Sequence, residues 1–171
     1  MLTGDFLRDS AAGAPDRVAL IGRGQRLTYA QFDEQANRLA NALLDVGLKK
    51  GAKVAIMSTN CPEYAIAYFA IARTPYVSAH CSTRSITNEL VYVLNKIEAE
   101  FLFLESRFAP VIAAVLPELD KSIRLILFDR PNEHEAQLAD AMHIDELISG
   151  KSADAPTVAL DENNALAITL T

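Results

Sequence analysis

The sequence predicts an α/β fold, a mostly parallel sheet with helices on both faces. Two observations predict it. Helical and strand patterns alternate along almost the whole chain. The strand patterns ("KVAIMS", "EFLFLE", "IRLILFD") are short apolar runs with no polar alternation, as in strands covered on both sides.

The elements follow in order. "TGDFLRDSAAGAP" reads as a short helix over 3–13, opened by Thr3 and stopped by Gly13 and Pro15. "RVALIG" (17–22) and "RLTY" (26–29) read as a hairpin across "RGQ". The clearest helix opens at Thr28. Gln31, three residues on, completes a capping box, in which the Thr hydroxyl serves the third helical amide and the glutamine reaches back. Phe32, Ala36, Leu39 and Leu43 recur on one face, and Gly47 ends the helix where a positive φ is needed. "KVAIMS" (53–58) is a strand. "NCPEYAIAYFAIAR" (60–73) is a helix apolar almost all round, with Pro62 in the first turn, where a missing N–H costs nothing. "YVSAHC" (76–81) is a strand. "ITNELVYVLNKI" (86–97) is a helix capped by Ser85, with Leu90, Leu94 and Ile97 on one face.

"EFLFLE" (100–105) is a strand, "RFAPVIAAVLPEL" (107–119) a helix bracketed by Pro110 and Pro117, and "IRLILFD" (123–129) a strand. "EHEAQLADAMHIDELIS" (133–149) reads as one helix that Gly150 stops. "KSADAPT" is a polar connector. "ALAITLT" (165–171) reads as a buried strand entered from the turn "DENN".

Composition narrows the function classes. The 171 residues suffice for one domain with a real core; half are hydrophobic and 22% are charged. The net charge is −6 and no Lys/Arg cluster exceeds "KK" at 49–50, which argues against nucleic acid. Cys61 and Cys81 stand twenty residues apart, which is not metal-ligand spacing, and read as buried free thiols in a reducing compartment. The longest apolar run, "AIAYFAIA", is too short for a membrane span, and "MLTGDFLRDS" has no apolar signal-peptide core. The expectation is a soluble cytoplasmic protein.

Chemistry is sparse. "GLKKG" follows a helix and precedes a strand, the wrong order for a phosphate cradle, and "GRG" (22–24) reads as the hairpin turn. His134 sits in the solvated "NEHE", and His143 late in a helix, where the dipole favours a cation. His80 stands beside Cys81 and the polar run Ser82–Ser85, but adjacent strand residues point to opposite faces, which separates a Cys/His pair. Glu63 and Glu89 lie in helix first turns, and Asp161 and Glu162 in a turn; the helix dipole or solvation accounts for each. No catalytic or metal-ligating residue is assigned.

Three stretches together resemble one family. "RLTYAQFDEQANRLANALLDVGLKKGAKVAIMSTNCPEYAIAYFAIAR" is similar to the N-terminal region of AMP-forming acyl-CoA synthetases, of the adenylate-forming superfamily, which share an "LTY–helix–G–GD–V–strand–N–PE–helix" run. "TRSITNELVYVLNKIEAEFLFLES" resembles the loop, helix and strand that follow. "NALAITLT" resembles the strand that enters the family's phosphate-binding loop. That loop begins with an aromatic residue, then Thr-Ser-Gly. Leu170 stands at the aromatic position and Thr171 at the first threonine. "SAHCS" replaces the family's Val-Pro-Leu-Asn-like stretch, and Pro75 a small Gly-type residue.

The resemblance implies a partial N-terminal domain of an ATP-dependent acid–CoA ligase, ending on the threshold of its ATP loop. Residues 1–52 would form a helix–hairpin–helix entry, 53–150 the α/β core, and 151–171 a connector and the strand leading to the loop. The parent would convert a fatty or aromatic carboxylate, ATP and CoA, with Mg²⁺, through an acyl-adenylate. The chain alone is expected to be inactive and to bind none of them tightly. Thr171 is the one residue that maps onto the ATP-contacting motif. Two other readings stay open. One is an adenylation domain of a peptide synthetase or a luciferase-like enzyme. The other is a free-standing α/β module that binds a partner without catalysis. The fragment reading also predicts self-association through exposed apolar surface.

Overall fold

A computed structural model describes residues 2–129, 138 and 140–169. Six parallel strands form the sheet: β3 (Lys53–Met57), β4 (Val77–His80), β5 (Ala99–Leu104), β6 (Arg124–Leu127), β7 (Met142–His143) and β8 (Ala167–Thr169). Their order is β7-β6-β5-β3-β4-β8, so the chain starts in the middle, steps once to one side, then crosses back and builds outward. Before them, β1 (Val18–Gly22) and β2 (Gln25–Thr28) pair antiparallel as a separate hairpin. Helices α1 (Thr3–Gly13), α2 (Tyr29–Asp45), α3 (Pro62–Ile71) and the short α6 (Ile144–Ile148) cover one face. Helices α4 (Thr87–Ile97) and α5 (Ala109–Val115) cover the other. The predicted fold class holds.

Strand β3 shows why its run is apolar throughout. Val54 and Ile56 enter the core under α2 and α3, while Ala55 and Met57 enter the core under α4 and α5. Both faces are buried from Val54 on, so only Lys53 at the strand's start is polar. The α2 capping box forms as read: Gln31 N–H donates to Thr28 Oγ1 at 3.3 Å, and Thr28 N–H to Gln31 Oε1 at 2.9 Å. Phe32, Ala36, Leu39 and Leu43 are all buried. In the hairpin, Gly22 pairs with Gln25, and the two turn residues Arg23 and Gly24 have φ of 47° and 73°. This is the primed two-residue turn that matches the strand twist. Gly22 is required by a close approach: a Cβ there would stand 2.8 Å from Pro62 Cδ, so the hairpin lies against the start of α3.

Several expectations are corrected. Leu2, not Thr3, caps α1, because Asp5 accepts the Leu2 amide at 2.8 Å. Ile86, not Ser85, caps α4, its amide held by Glu89 Oε2 at 3.1 Å. The stretch 107–119 is α5 flanked by 3-10 turns at Ser106–Phe108 and Leu116–Glu118. The helix expected over 133–149 is not one element. Residues 133–137 and 139 lie outside the described residues; Met142–His143 pairs with Ile126 and Leu127 as β7, and only Ile144–Ile148 is helical. The free edge of β6 takes a strand from a helically patterned sequence. His143 is therefore the cap of α6 rather than a late helical residue, its Nδ1 accepting the Asp145 amide at 3.2 Å. Strand β8 is an exposed edge, with only Ile168 packed against the core. His134 lies outside the described residues.

Two polar devices fix the outer layer. Arg73, 7% exposed, reaches from behind α3 to the Asp33 carboxylate, to Asn37 Oδ1 and to the Gly4 carbonyl at 3.3 Å, joining α1, α2 and α3. A Cβ on Gly4 would stand 2.9 Å from Arg73 Cγ, so the approach needs glycine. The connector after α6 lies along α2: Asn37 donates to the Ala153 carbonyl at 2.9 Å, and Asn41 to those of Ser152 and Asp154 at 2.9 and 3.0 Å.

Replacing Arg73 tests the first device. Arg73→Leu leaves Asp33 half-buried without its cation and is expected to cost about 2–4 kcal/mol in urea unfolding. Adding Asp33→Leu should restore part of the loss. A double variant no more stable than the single one would show that the ion pair is not the source.

Candidate functional site

A doubly wound sheet presents its ligand crevice outside the carboxyl ends of the strands, where the chain direction reverses. Here the reversal lies between β3 and β5. That crevice is filled by the chain itself. Glu105 follows β5 directly and is 5% exposed. Its Oε1 accepts from Ser58 Oγ at 3.0 Å, from Thr59 Oγ1 at 2.6 Å and from the Thr59 amide, all just past β3. Its Oε2 meets the Arg23 guanidinium at 2.8 Å. Arg23 comes from the hairpin turn, and its other arm stands 3.6 Å from Glu63 Oε2 in the first turn of α3. Asp129, past β6, accepts the Ser106 amide at 2.7 Å and hydroxyl at 2.9 Å.

Burial by itself would raise the Glu105 pKa. The Thr59 hydroxyl and amide, the Ser58 hydroxyl and the Arg23 charge outweigh it and hold the carboxyl below its ordinary value. Glu105 is thus an internal anion occupying hydroxyl, amide and guanidinium donors that would suit a bound one. A cleft of about 290 Å³ opens beside it, lined by Arg23, Glu63, Phe128, Asp129, His143 and Ile148 among others.

The other polar group at this edge surrounds His80, at the end of β4. Its Nδ1 lies 2.6 Å from the Tyr64 hydroxyl and its Nε2 3.3 Å from Ser78 Oγ. Tyr64 and Tyr68 both pack against the ring at 5.7 Å. Burial lowers the His80 pKa, which favours the neutral imidazole. Cys81 points into the opposite core, where burial pushes its thiol up to about 11. Burial also raises the Cys61 thiol. Both cysteines are free, and neither forms a nucleophile pair with His80. Across β4, His80 is in register with Thr169 of β8. Leu170 and Thr171 lie outside the described residues.

Sequence reading singled out His80 and the loop behind it but missed the Glu105 group. It assigned Arg23 to a turn and Glu63 to a helix dipole, and both assignments are locally correct. The available signal was the acid closing "EFLFLE", because a buried strand ends there at a ligand-bearing edge. Ser85 and Ser82 remain loop residues, Ser82 Oγ accepting the Arg84 amide at 3.2 Å. Among the described residues no group of three His, Cys, Asp or Glu side chains could hold a metal.

The lowered Glu105 pKa has a pH signature. A group more acidic when folded contributes stability that is complete above about pH 5 and is lost as the pH falls below the ordinary Glu value of about 4.3. Glu105→Gln is therefore expected to cost about 1–3 kcal/mol near pH 7, with the gap to the unsubstituted protein narrowing in acid. Denaturant titrations at several pH values read this, and a gap independent of pH would sink the assignment.

Comparison with known proteins extends the picture. The family model described as AMP-binding enzyme matches residues 7–171. A medium/long-chain-fatty-acid–CoA/3-oxocholest-4-en-26-oate–CoA ligase of Mycolicibacterium smegmatis is 37% identical over 114 residues, covering 67% of this chain and 21% of the relative. A ligase of the same name from Mycobacterium tuberculosis is 30% identical over 166 residues, covering 97% of this chain and 30% of the relative. The solved structure of a Mycobacterium tuberculosis fatty acyl CoA synthetase superposes with a TM-score of 0.82 at 25% identity, over 99% of this chain and 32% of that one. The chain thus spans about a fifth to a third of the length of its relatives. With the match running through both cores and the sheet edge, this chain belongs to the AMP-binding enzyme family.

Proposed function

We propose that the chain is the N-terminal part of an ATP-dependent acid–CoA ligase, whose parent joins a carboxylate to CoA through an acyl-adenylate, releasing pyrophosphate and then AMP. The observation that carries this is the family match over residues 7–171, together with ligase relatives aligned over nearly the whole chain. Both relatives are named for fatty and steroid acids, so an apolar carboxylic acid is the substrate class proposed.

The same reading proposes a division of the chain. Residues 1–52 form the entry, in which α1, the hairpin and α2 precede the sheet; 53–150 carry five of its strands; 151–171 hold the connector and β8. Thr171 is proposed as the first residue of the phosphate-binding loop, two residues beyond β8.

On this reading ATP, Mg²⁺ and CoA belong to the parent, and the donors past β3 serve Glu105 in this chain. No helix among the described residues is long and apolar enough to cross a membrane. Ile86 and Tyr92, 63% and 66% exposed, are apolar surface through which the isolated chain would self-associate.

Calorimetric titration with ATP·Mg²⁺, over a panel of fatty and aromatic acids, tests the reading on the 171-residue chain and on the complete gene product. The chain is expected to be silent, and the complete product to release pyrophosphate with at least one acid. Tight nucleotide binding by the chain alone, or no pyrophosphate from the complete product, would overturn it.

A further inference from the structure

We infer that Tyr64, His80 and Ser78 form a hydrogen-bonded relay that positions strand β8, and through it the segment that follows. One assignment of protons satisfies every contact. Ser78 Oγ lies 3.1 Å from the Leu166 carbonyl oxygen, which only accepts, and in this assignment the Ser78 hydrogen goes there. Towards His80 Nε2, at 3.3 Å, Ser78 Oγ is then an acceptor, and Nε2 carries the ring proton. His80 Nδ1 is left as an acceptor, and the Tyr64 hydroxyl donates to it at 2.6 Å. The relay runs from Tyr64 through His80 and Ser78 to Leu166.

Leu166 is the residue before β8. Its carbonyl receives a second donor, the Ser78 amide, at 3.0 Å. Strand β8 has little else to hold it. Among the described residues it is three residues long, pairs with β4 alone, and packs one partly buried side chain, Ile168, against the core. The other end of the relay is fixed. Tyr64 sits in the first turn of α3, which Pro62 opens and the hairpin backs at Gly22. Ser78 and His80 also fall in "SAHCS", the stretch that departs from the family pattern, so the departure has a physical role: its polar side chains pin the edge strand. His80 is a positioning residue, acting through Ser78 and the Leu166 carbonyl. That its action reaches a phosphate-binding loop rests on the function proposed above.

Three readouts test the relay on the complete gene product. Long-range ¹H–¹⁵N NMR is expected to show His80 neutral with its proton on Nε2. Tyr64→Phe and His80→Ala should each speed hydrogen exchange of the Ala167–Thr169 amides about three- to tenfold, while His80→Gln, which keeps a donor for Ser78, restores most of the protection. In pyrophosphate-release kinetics, Tyr64→Phe should raise the KM for ATP by a similar factor and leave kcat nearly unchanged. A proton on Nδ1, or β8 exchange unaffected by both variants, would overturn the relay. If His80→Ala fails to fold, Tyr64→Phe decides, since it keeps the ring and removes one hydroxyl. If the complete product releases no pyrophosphate at all, the ligase reading falls, and the NMR and exchange arms still decide the relay.

Discussion

The carboxyl edge of the sheet is organised around one buried charge. Taking a carboxylate out of water costs several kcal/mol unless donors replace the lost hydration. Glu105 receives two hydroxyls, an amide and a guanidinium. Each comes from a different requirement of the fold: Ser58 and Thr59 from the end of the central strand, and Arg23 from a hairpin turn whose residues take positive φ. Remove the charge and three units lose their common anchor: β3, β5 and the hairpin. The functional consequence is spatial. The crevice where this topology most often binds a ligand is satisfied internally, and open polar capacity moves to the cleft beside it and to the β4–β8 side.

How much of this was legible depends on the range of each interaction. The hairpin turn, the α2 capping box and Pro62 at the start of α3 are decided within a few residues, and each was readable. So were the apolar strands, because burial on both faces removes any polar position. The failures have long-range causes. Met142 and His143 continue a helical pattern, but the edge of β6 supplied a partner that local propensity cannot anticipate. Asn37 and Asn41 look like solvated helix positions; their partners are carbonyls more than a hundred residues later. Glu105 looks like an ordinary strand end until Arg23 arrives from the hairpin. At the site, His80 was readable as a polar residue at a strand end, but the tyrosine hydroxyl 2.6 Å from its Nδ1 was not, since Tyr64 reads as core.

The family resemblance filled a gap that residue chemistry left. Short motifs gave a scaffold to which residue chemistry alone assigned no catalytic group. A long ordered run of modest signals, each with an ordinary structural reading, identified the family where no single motif could.

The two edges of the sheet differ in kind. Strand β7 is joined directly to α6, whose Ile144 is buried in the core. Strand β8 stands at the far edge, and the chain reaches it from α6 by a polar connector laid along α2. Its position is then set by backbone pairing with β4, by the bonds from Asn37 and Asn41 to the connector, and by Ser78 holding the Leu166 carbonyl. Such bonds contribute about 1 kcal/mol each, against about 1.5–3 kcal/mol for a fully buried aliphatic side chain of the kind that locks β3. An edge held by a few polar bonds can shift at small cost, whereas the centre cannot move without opening both cores. The fold therefore joins a rigid middle to an adjustable margin, and the segment proposed to meet the nucleotide leaves from that margin.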